Sequence, residues 1–389
     1  MSCAGAGHQG LIRPVAAHVA AVTIPAHGHV NPMLALLEEL VRRGHRVTCA
    51  ATEEFVPSVA AAGASAVRYR SSLPTDPPLN PWDQDPLGRA PPRLLEEALG
   101  ALAALEAALE RDRPRLVIYD EMAWAGRMLA RRWRVPAVQA WPTFASNERF
   151  SLGPRPVEVD PVEDLDLVFL PRAFQQAGET FDDRFLFVGP VVGSRASEGG
   201  WSPPADGRRV VLASLGTAWN AWPEFFRMCA EAFADPSWHL VMAIGQRVEP
   251  AALGPLPANA EAHGHVPQLA VLRHAAAFVT HGGMNSTMEA LYHAVPLVVV
   301  PQMAEQEATA RRVAELGLGR FLPREEVTPA RLRDAVAELS RDPAVTARLR
   351  AMRDQIRAAG GVERAAGAIG AILERPPRAA PASRVRDGH

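Results

Sequence analysis

The chain has 389 residues, of which 48% are hydrophobic and 22% charged, and its formal net charge is −2. This composition is typical of a soluble globular protein, and the length suits two domains of ordinary size better than one. Because positive and negative charges nearly balance, the sequence carries no electrostatic signature of binding to nucleic acid or to an anionic membrane.

The cysteines and the N-terminal segment indicate where the protein works. The three cysteines are isolated and form no C-x-x-C pair, so neither a disulfide framework nor a zinc site is expected. Polar residues and histidine interrupt the apolar run near the N-terminus, so no signal peptide is predicted. No stretch reaches the roughly 18 apolar residues that a spanning helix needs. We expect a cytoplasmic protein, either monomeric or homodimeric.

The first half of the chain alternates short strands and helices. An apolar run over 19–24 predicts a buried strand, and a 3.6-residue period predicts a helix from Pro32 to Arg43. Asn31 would cap that helix, and Pro32 suits its first position. A second strand, 47–51, follows at once. Strand–helix–strand units with short joints predict a parallel sheet.

The alternation continues through both halves of the chain. Further strands are predicted at 116–119, near 138, and at 167–170, 185–188, 210–215, 239–244, 276–280 and 297–300. Further helices are predicted at 92–110, 125–133, 329–340, 343–358 and 361–373. A Gly/Ser/Pro-rich run between the two halves is typical of a linker.

These elements predict an α/β protein of two Rossmann-like, doubly wound domains facing a central cleft. The boundaries are expected at 1–190 for the first domain, 191–209 for the linker and 210–360 for the second domain. A last helix, 361–375, is expected to return to the first domain. In such sheets, ligands bind beyond the carboxyl ends of the strands.

The strongest motif is AFVTHGGMNSTMEALYHAVPLVVVPQ, residues 277–302. A buried strand ends at Thr280, two glycines allow close backbone approach, and a helix opens at about Asn285. The free N–H groups and positive dipole end of that helix favour an anion such as a phosphate. His281 lies at the carboxyl end of the strand, where its ring can donate to the same anion.

A purely structural interpretation of this motif stays open. Ser286 and Glu289 also fit a capping box, which needs no ligand. Two glycines before a helix are a common pattern, and neither G-x-G-x-x-G nor a P-loop occurs. The absence of both fingerprints argues against a dehydrogenase or an ATPase.

Polar residues at neighbouring strand ends favour the phosphate interpretation. The segment VLASLGT ends a predicted strand in Gly216 and Thr217, whose N–H and hydroxyl groups can face the same anion. The segment HVPQLAVL begins at His265, one helix upstream of the key strand. Glu305 and Gln306 follow the next strand with a carboxylate and an amide, which suit the hydroxyls of a sugar.

A second constellation joins His27, Gly28 and His29 after the first strand to Asp120 at the end of the strand 116–119. Imidazole, with a reference pKa of about 6.5, is suited to take a proton from a hydroxyl near neutral pH. A carboxylate behind it would fix the tautomer and stabilise the imidazolium. Alternatively, Asp120 caps a neighbouring helix. A metal pair of histidines is disfavoured because no carboxylate or cysteine cluster lies nearby in sequence.

Together these motifs resemble the donor-site signature of the family 1 glycosyltransferases. The signature is H-V-P-Q, then T-H-G-G-M-N-S-T-M-E, then P-x-x-x-x-P-Q-x-x-E-Q. With A-H-G-H-V-N-P near the N-terminus and the S-L-G-T turn, the chain looks like the bacterial macrolide glycosyltransferase branch. The resemblance runs from about residue 18 to 373 in the expected order. It implies the GT-B fold, with an acceptor-binding first domain and a nucleotide-sugar-binding second domain.

The resemblance also implies which second-domain residues bind the nucleotide sugar. They are His281 and Ser286 on the diphosphate; Gly283 and Thr217 lining it; Asn285 orienting the turn or a phosphate oxygen; Glu289 on the ribose; Val266, through its backbone, and Gln268 beside the base; and Glu305 and Gln306 on the sugar hydroxyls. One position departs from the family. Where many relatives stack a Trp on the base, this chain has His265, whose ring offers less area.

On the acceptor side, the resemblance places the base in G-H-x-x-P, which makes it His29, with His27 as the alternative and Asp120 as its partner. Residues 71–93 are expected to form a surface loop over the cleft. The stretch 148–166 is shorter than in macrolide-modifying relatives, which predicts a more open acceptor site.

Five aromatic residues could form either an apolar acceptor pocket or part of the core: Trp82, Trp124, Trp141, Phe144 and Phe150. Core packing is the preferred interpretation for Trp133. The triplet Asp164-Leu165-Asp166 matches the D-x-D of metal-dependent glycosyltransferases of another fold. Because such acidic matches are frequent by chance, it is interpreted as a solvated strand start.

The sequence therefore predicts a glycosyltransferase that moves a hexose to a hydroxyl of an apolar small molecule such as a macrolide, polyketide or phenol. UDP-glucose is the favoured donor, and a TDP-deoxysugar is the alternative. The resemblance implies inversion at the anomeric carbon, no cofactor and no required metal. Two other functions stay open: a nucleotide-sugar epimerase, and a non-catalytic nucleotide-binding helper protein.

Overall fold

Two parallel β-sheets form the framework of the molecule. The computed structural model describes residues 16–73, 90–152, 163–192, 200–217 and 220–376. The strands are β1 (His18–Val22), β2 (Arg46–Ala51), β3 (Ser65–Arg68), β4 (Leu116–Asp120), β5 (Ala137–Trp141), β6 (Leu165–Val168), β7 (Phe185–Phe187), β8 (Arg209–Ser214), β9 (Trp238–Ala243), β10 (Ala260–His263), β11 (Ala275–Thr280), β12 (Leu297–Val299) and β13 (Gly319–Phe321).

Helices cover the two sheets. They are α1 (His27–Arg42), α2 (Val56–Ala61), α3 (Ala90–Leu109), α4 (Trp124–Trp133), α5 (Pro223–Ala232), α6 (Gln268–Leu272), α7 (Met284–Tyr292), α8 (Ala304–Glu315), α9 (Pro329–Arg341), α10 (Pro343–Ala358) and α11 (Gly361–Leu373). Within the described part of the chain, no helix is both long enough and apolar enough to cross a membrane.

Both sheets have the doubly wound strand order. The first runs β3-β2-β1-β4-β5-β6-β7 and the second β10-β9-β8-β11-β12-β13. Neighbouring strands pair in parallel, with β1 between β2 and β4 and β8 between β9 and β11. The strand order reverses at β1 and at β8, and the crevice at such a point is where ligands bind. The predicted α/β fold with two doubly wound domains is confirmed.

Burial on both faces explains why the strands could be predicted from the sequence. All five residues of β1 and all five of β4 are buried. A strand covered by helices on both faces is a continuous apolar run, without polar alternation. The apolar runs of the sequence therefore coincide with the central strands, to within one or two residues at most ends.

The first helix begins five residues earlier than predicted. Helix α1 starts at His27 after Ala26, which makes no side-chain cap, and Pro32 lies inside it. The predicted cap at Asn31 is wrong, because the residues from His27 onward already turn helically without an apolar period. Pro32 removes one helical hydrogen bond near the N-terminus, where that loss is tolerated best. His29 consequently stands in the first turn of α1.

Helix α3 also begins earlier than predicted, at Ala90. The expected loop over 71–93 is therefore wrong for its last four residues, because proline is tolerated in the first turn of a helix. The segment 74–89, including Trp82, lies outside the described residues. So does most of the stretch 148–166, from 153 to 162.

The two domains share buried contacts. Apolar residues of α11, among them Ala365, Ile369 and Leu373, are buried in one cluster with Leu36 and Leu40 of α1. The last helix therefore packs on the first domain.

A polar contact also joins the two domains. The Arg312 guanidinium on α8 donates to the carbonyls of Phe174 at 2.9 Å, Ala173 at 2.8 Å and Gln175 at 3.2 Å. Its side chain is only 14% exposed. This contact fixes α8 against the first domain. The same helix carries Glu305 in its first turn.

Candidate functional site

The candidate site lies between the two strand-order reversals. His29 follows β1, and Asp120 ends β4 beside it. In the second domain, Gly216 follows β8 and His281 follows β11. Helices α1 and α7 approach each other across the cleft. The topology therefore brings the two constellations found in the sequence to one place.

His29 and Asp120 form a hydrogen-bonded pair. The Nδ1 atom of His29 lies 2.6 Å from Oδ2 of Asp120. The other oxygen of Asp120, Oδ1, accepts from the backbone N–H of Met122 at 2.9 Å. The side chain of Asp120 is 1% exposed and that of His29 is 14% exposed. Both oxygens of the carboxylate are held, so the imidazole is oriented with Nε2 as the nitrogen left for a substrate.

His27 makes different contacts. Its Nε2 lies 3.3 Å from Oε1 of Glu54, and its side chain is 44% exposed. Its ring packs edge-on against Phe55. Because His27 is already paired with Glu54 and Phe55 beside α2, the geometry favours His29 as the base.

Carboxyl groups determine the protonation of His29. Burial by itself lowers the pKa of His29, but the charge and hydrogen bond of Asp120, with smaller contributions from Glu121 and Glu305, raise the pKa to about 10. Burial raises the pKa of Glu305 on α8, and the charge of His29 opposes that shift. The predicted base, His29, in the first domain and Glu305, predicted to bind the sugar, in the second are therefore within electrostatic reach of each other.

The His281 ring lies between two glycine turns. A Cβ atom on Gly216 would lie 2.6 Å from its Cε1, and one on Gly283 would overlap its Nε2. Gly216 also has a φ of +76°, which disfavours other residues. Burial lowers the pKa of His281 to about 4, although a hydrogen bond to the backbone of Ser214 opposes the shift. The imidazole is therefore neutral near pH 7, and the glycines let its ring lie between the strand ends.

Asn220 holds the first of these turns, and no sequence motif singles it out. Its Nδ2 donates to the carbonyl of Gly216 at 2.9 Å and to that of Thr217 at 3.4 Å. A Cβ atom on Gly245, after β9, would overlap that nitrogen. The glycine at the end of β9 is the one signal that could have pointed to a packed turn here.

Helix α7 begins without a side-chain cap. Its N-cap residue is Gly283, so the capping-box interpretation of Ser286 and Glu289 is wrong. Instead, Nε2 of Gln268 on α6 donates to Oε2 of Glu289 at 2.6 Å and to Oγ of Ser286 at 3.2 Å. Three residues predicted to bind base, ribose and phosphate therefore share one network, with Asn285 half-buried beside it.

The other predicted donor-side residues differ in exposure. The side chain of Val266 is buried, which leaves its backbone for a ligand, whereas His265 and Thr217 are exposed. Glu305 is half-buried, and Gln306 is 5% exposed. The Oε1 atom of Gln306 accepts from the backbone N–H of Gln302 at 2.8 Å. Gln306 therefore shapes the turn before α8 with one end of its amide.

The candidate acceptor aromatics differ in burial. Phe144 is 2% exposed and stacks on Phe174 with ring centroids 5.8 Å apart, so it belongs to the core. Trp124 and Phe150 are half-buried, and Phe150 packs edge-on against Phe144. Trp133 is 8% exposed, as the core interpretation predicts.

The interpretation of the triplet Asp164-Leu165-Asp166 as a solvated strand start is wrong for Asp166. Asp166 lies inside β6 and is 8% exposed. Burial raises its pKa to about 7, against the opposing hydrogen bond from Nε1 of Trp141 at 2.8 Å. The carboxyl therefore serves as a buried partner for Trp141, which accounts for the orientation of that ring.

The fold places a second carboxyl beside the base. One ligand-type atom each from His29, Asp120 and Glu121 lies within 4.8 Å of the others. No carboxylate cluster lies near these histidines in the sequence, but the fold brings two carboxyl groups from the end of β4 beside His29. Glu121 was missed because, in the sequence, it is only the residue after a strand end.

The contact between Gly283 and His281 gives a direct test of the turn. In Gly283→Ala the new methyl group displaces the imidazole, so UDP affinity should fall by about 10- to 100-fold, as expected for losing a hydrogen bond to a charged group. Isothermal titration calorimetry with UDP measures this change. The matched control is Gly370→Ala on α11, where a Cβ atom meets nothing within 4 Å. Unchanged UDP affinity in Gly283→Ala would remove His281 from the diphosphate site.

Similarity to known proteins extends over nearly the whole chain. Residues 231–386 match the family model described as "Erythromycin biosynthesis protein CIII-like, C-terminal domain". The chain is 44% identical to NDP-glycosyltransferase YjiC of Bacillus subtilis (strain 168), over 92% of this chain and 98% of that protein. It is 40% identical to the oleandomycin glycosyltransferase of Streptomyces antibioticus, over 92% and 91% respectively. The structure is also similar to the crystal structure of CalG4, the calicheamicin glycosyltransferase. That match covers 94% of this chain and 100% of the CalG4 chain, with a TM-score of 0.84 and 41% identity.

Proposed function

This chain belongs to the macrolide-type branch of the family 1 glycosyltransferases, with the GT-B fold, and on that premise we propose that it transfers glucose from UDP-glucose to a hydroxyl of an apolar natural product. The observation that carries this proposal is the His29–Asp120 pair, which lies across the cleft from Glu305 and the His281 turn. A base on one side and an anion site on the other are what transfer to a hydroxyl requires.

In the proposed reaction, the acceptor hydroxyl donates its proton to Nε2 of His29 as its oxygen bonds to the anomeric carbon. The bond from that carbon to the β-phosphate oxygen breaks, and its electron pair leaves with the nucleoside diphosphate. Asp120 stabilises the imidazolium through the 2.6 Å contact to Nδ1. A single in-line displacement of this kind inverts the anomeric configuration.

The second domain supplies the stabilisation of the leaving group. The first turn of α7 offers backbone N–H groups and the positive end of the helix dipole. His281 lies between two glycine turns beside it. In this proposal Glu289 binds the ribose and Gln268 lies beside the base, and the two side chains bond to each other at 2.6 Å. These groups favour a diphosphate as leaving group over a less charged one.

The choice of sugar rests on Glu305 and Gln306 at the start of α8. A carboxylate and an amide suit a fully hydroxylated hexose, and this favours glucose over a deoxysugar. A TDP-deoxysugar is the second candidate donor, because the relative named an NDP-glycosyltransferase leaves the nucleotide open. The relatives named for oleandomycin and calicheamicin support a natural-product acceptor.

We propose that transfer needs no metal ion. His29, Asp120 and Glu121 are the group that could hold one within the described part of the chain. In this group, Nδ1 of His29 and Oδ2 of Asp120 already bond to each other. A cation bound by these three residues would engage His29, which the proposed reaction needs as its base. Activity should therefore survive dialysis against EDTA.

A donor-by-acceptor screen tests the proposal. UDP-glucose, TDP-glucose and a TDP-deoxysugar are each incubated with a panel of macrolides, polyketides and phenols, with and without EDTA, and products are identified by mass spectrometry. The expected result is hexosyl addition with UDP-glucose as the best donor. Epimerised UDP-sugar in incubations without acceptor would favour an epimerase. Tight UDP binding without any product would favour a helper protein.

A further inference from the structure

Glu121 is a carboxyl beside the proposed base that the proposed mechanism leaves unused. It follows the last residue of β4, and its backbone N–H donates to the carbonyl of Ala140 at 3.1 Å, so the backbone is held by pairing with β5. One of its carboxyl oxygens belongs to the group whose ligand-type atoms lie within 4.8 Å of one another with His29 and Asp120. A single bound molecule can therefore contact both Glu121 and the base.

The Oε2 atom of Glu121 is buried and has no hydrogen-bond partner among the described residues. By contrast, Asp120 uses both of its oxygens, one on His29 and one on the N–H of Met122. A buried, unpaired carboxyl oxygen destabilises a fold, and an apolar residue of similar size would remove that cost. An orphaned polar atom beside the proposed base is instead placed to be paired by a ligand.

The charges around Glu121 indicate how that oxygen would be used. Burial raises the pKa of Glu121 well above its usual range, the neighbouring Asp120 and Glu305 raise it further, and His29 opposes the shift. Burial and the two neighbouring carboxyls therefore favour the protonated form of Glu121. A neutral hydroxyl, which can both donate and accept, pairs with the carboxyl in either protonation state.

On the basis of the proposed function, we propose that Glu121 is a specificity-determining residue that binds a second hydroxyl of the acceptor, adjacent to the hydroxyl that reacts at His29. The acceptor class it selects is therefore a 1,2-diol or catechol. Glu121 belongs to the first domain and stands beside the base, so the group it contacts is part of the acceptor. The donor sugar has its own carboxyl, Glu305, on the second domain.

Two acceptors that differ by one hydroxyl test the proposal. With UDP-glucose as donor, kcat/KM is measured for 4-methylcatechol and for 4-methylphenol with wild-type protein, Glu121→Ala and Glu121→Gln. Wild type should prefer the catechol by about tenfold, the ratio expected for one hydrogen bond. In Glu121→Ala, kcat/KM should fall about tenfold more for the catechol than for the phenol, mainly through KM, so that the preference is lost. Glu121→Gln, which retains a carbonyl acceptor, should keep part of the preference for the catechol.

A control variant and the comparison of the two acceptors distinguish failure of this proposal from failure of the proposed function. Glu54→Ala removes a carboxylate whose side chain is 62% exposed beside His27, and it should leave both rates unchanged. Turnover of 4-methylphenol by wild type reports the proposed transfer, whereas the ratio between the acceptors reports Glu121. Wild type that turns over the phenol without favouring the catechol overturns the proposal, as does an equal loss on both acceptors in Glu121→Ala. A loss that instead depends on the donor, UDP-glucose against UDP-xylose, would place Glu121 at the sugar and overturn it as well.

Discussion

Replacing His29 by Ala should lower kcat for sugar transfer by about 10³- to 10⁴-fold and leave UDP affinity within about threefold of wild type. In the proposed reaction the imidazole takes the acceptor proton only as the new bond forms, so its loss should act on the chemical step. The proposed UDP site is built on α6, α7 and the turn after β8, none of which carries His29. Steady-state kinetics by product quantification, with UDP titrations by calorimetry, separates the two quantities.

His27→Ala is the matched control for this variant. It removes an imidazole two residues away, on the same helix, whose partner is Glu54. Transfer by His27→Ala should stay close to wild type. If His27→Ala is the inactive protein and His29→Ala is not, the base has been assigned to the wrong histidine. If both retain activity, the pair of His29 and Asp120 is structural.

Replacing Asp120 by Asn should have the second largest effect, a fall in kcat of roughly 10²- to 10⁴-fold. The side-chain amide of this variant could still bond to the imidazole, but it carries no charge to stabilise the imidazolium. The pH profile should change as well. Asp120 is the main group that raises the pKa of His29 to about 10, so wild-type kcat/KM should climb with pH through the alkaline range as Nε2 loses its proton.

In Asp120→Asn the pKa of His29 should fall towards or below its reference of about 6.5, because burial then dominates. The variant should therefore reach its much lower plateau at a lower pH than wild type. Asp112→Asn is the control, since Asp112 also faces a histidine, His18 at 3.7 Å, but outside the cleft. Profiles of kcat/KM that coincide in shape for wild type and Asp120→Asn would contradict the assigned role of Asp120.

Much of the fold was predictable because its strands are buried on both faces. The central strands β1 and β4 have no exposed residue, so each is an unbroken or nearly unbroken apolar run. Helix starts were less predictable. Helix α1 opens with a segment that lacks an apolar period, and α3 opens with two prolines after Ala90, which composition alone assigns to a loop.

The candidate site was predictable where it rests on local sequence. His29, Asp120 and His281 each follow or end an apolar run, and the fold brings such strand ends together. Residues whose role depends on packing were not predictable. Glu121 acquires its unpaired oxygen, and Asn220 its hold on the Gly216 turn, only when distant segments meet.

The local capping rule failed at Ser286 and Glu289 for a related reason. Both residues fit a capping box by spacing, but α7 begins one turn earlier than such a box requires, after Gly283. Their hydrogen bonds go to Gln268 on another helix. Asp166 shows the same limit, because its burial in β6 beside Trp141 depends on strands that the triplet itself does not reveal.

The most direct test of the central claim is the NMR analysis of products formed from α-linked UDP-glucose and an acceptor accepted in the screen. We expect one β-glucoside and one UDP for each acceptor consumed, with no free glucose. A β-linkage follows from a single displacement in which His29 activates the acceptor hydroxyl. An α-glucoside, free glucose as the main product, or an epimerised UDP-sugar would contradict direct transfer by the His29–Asp120 pair.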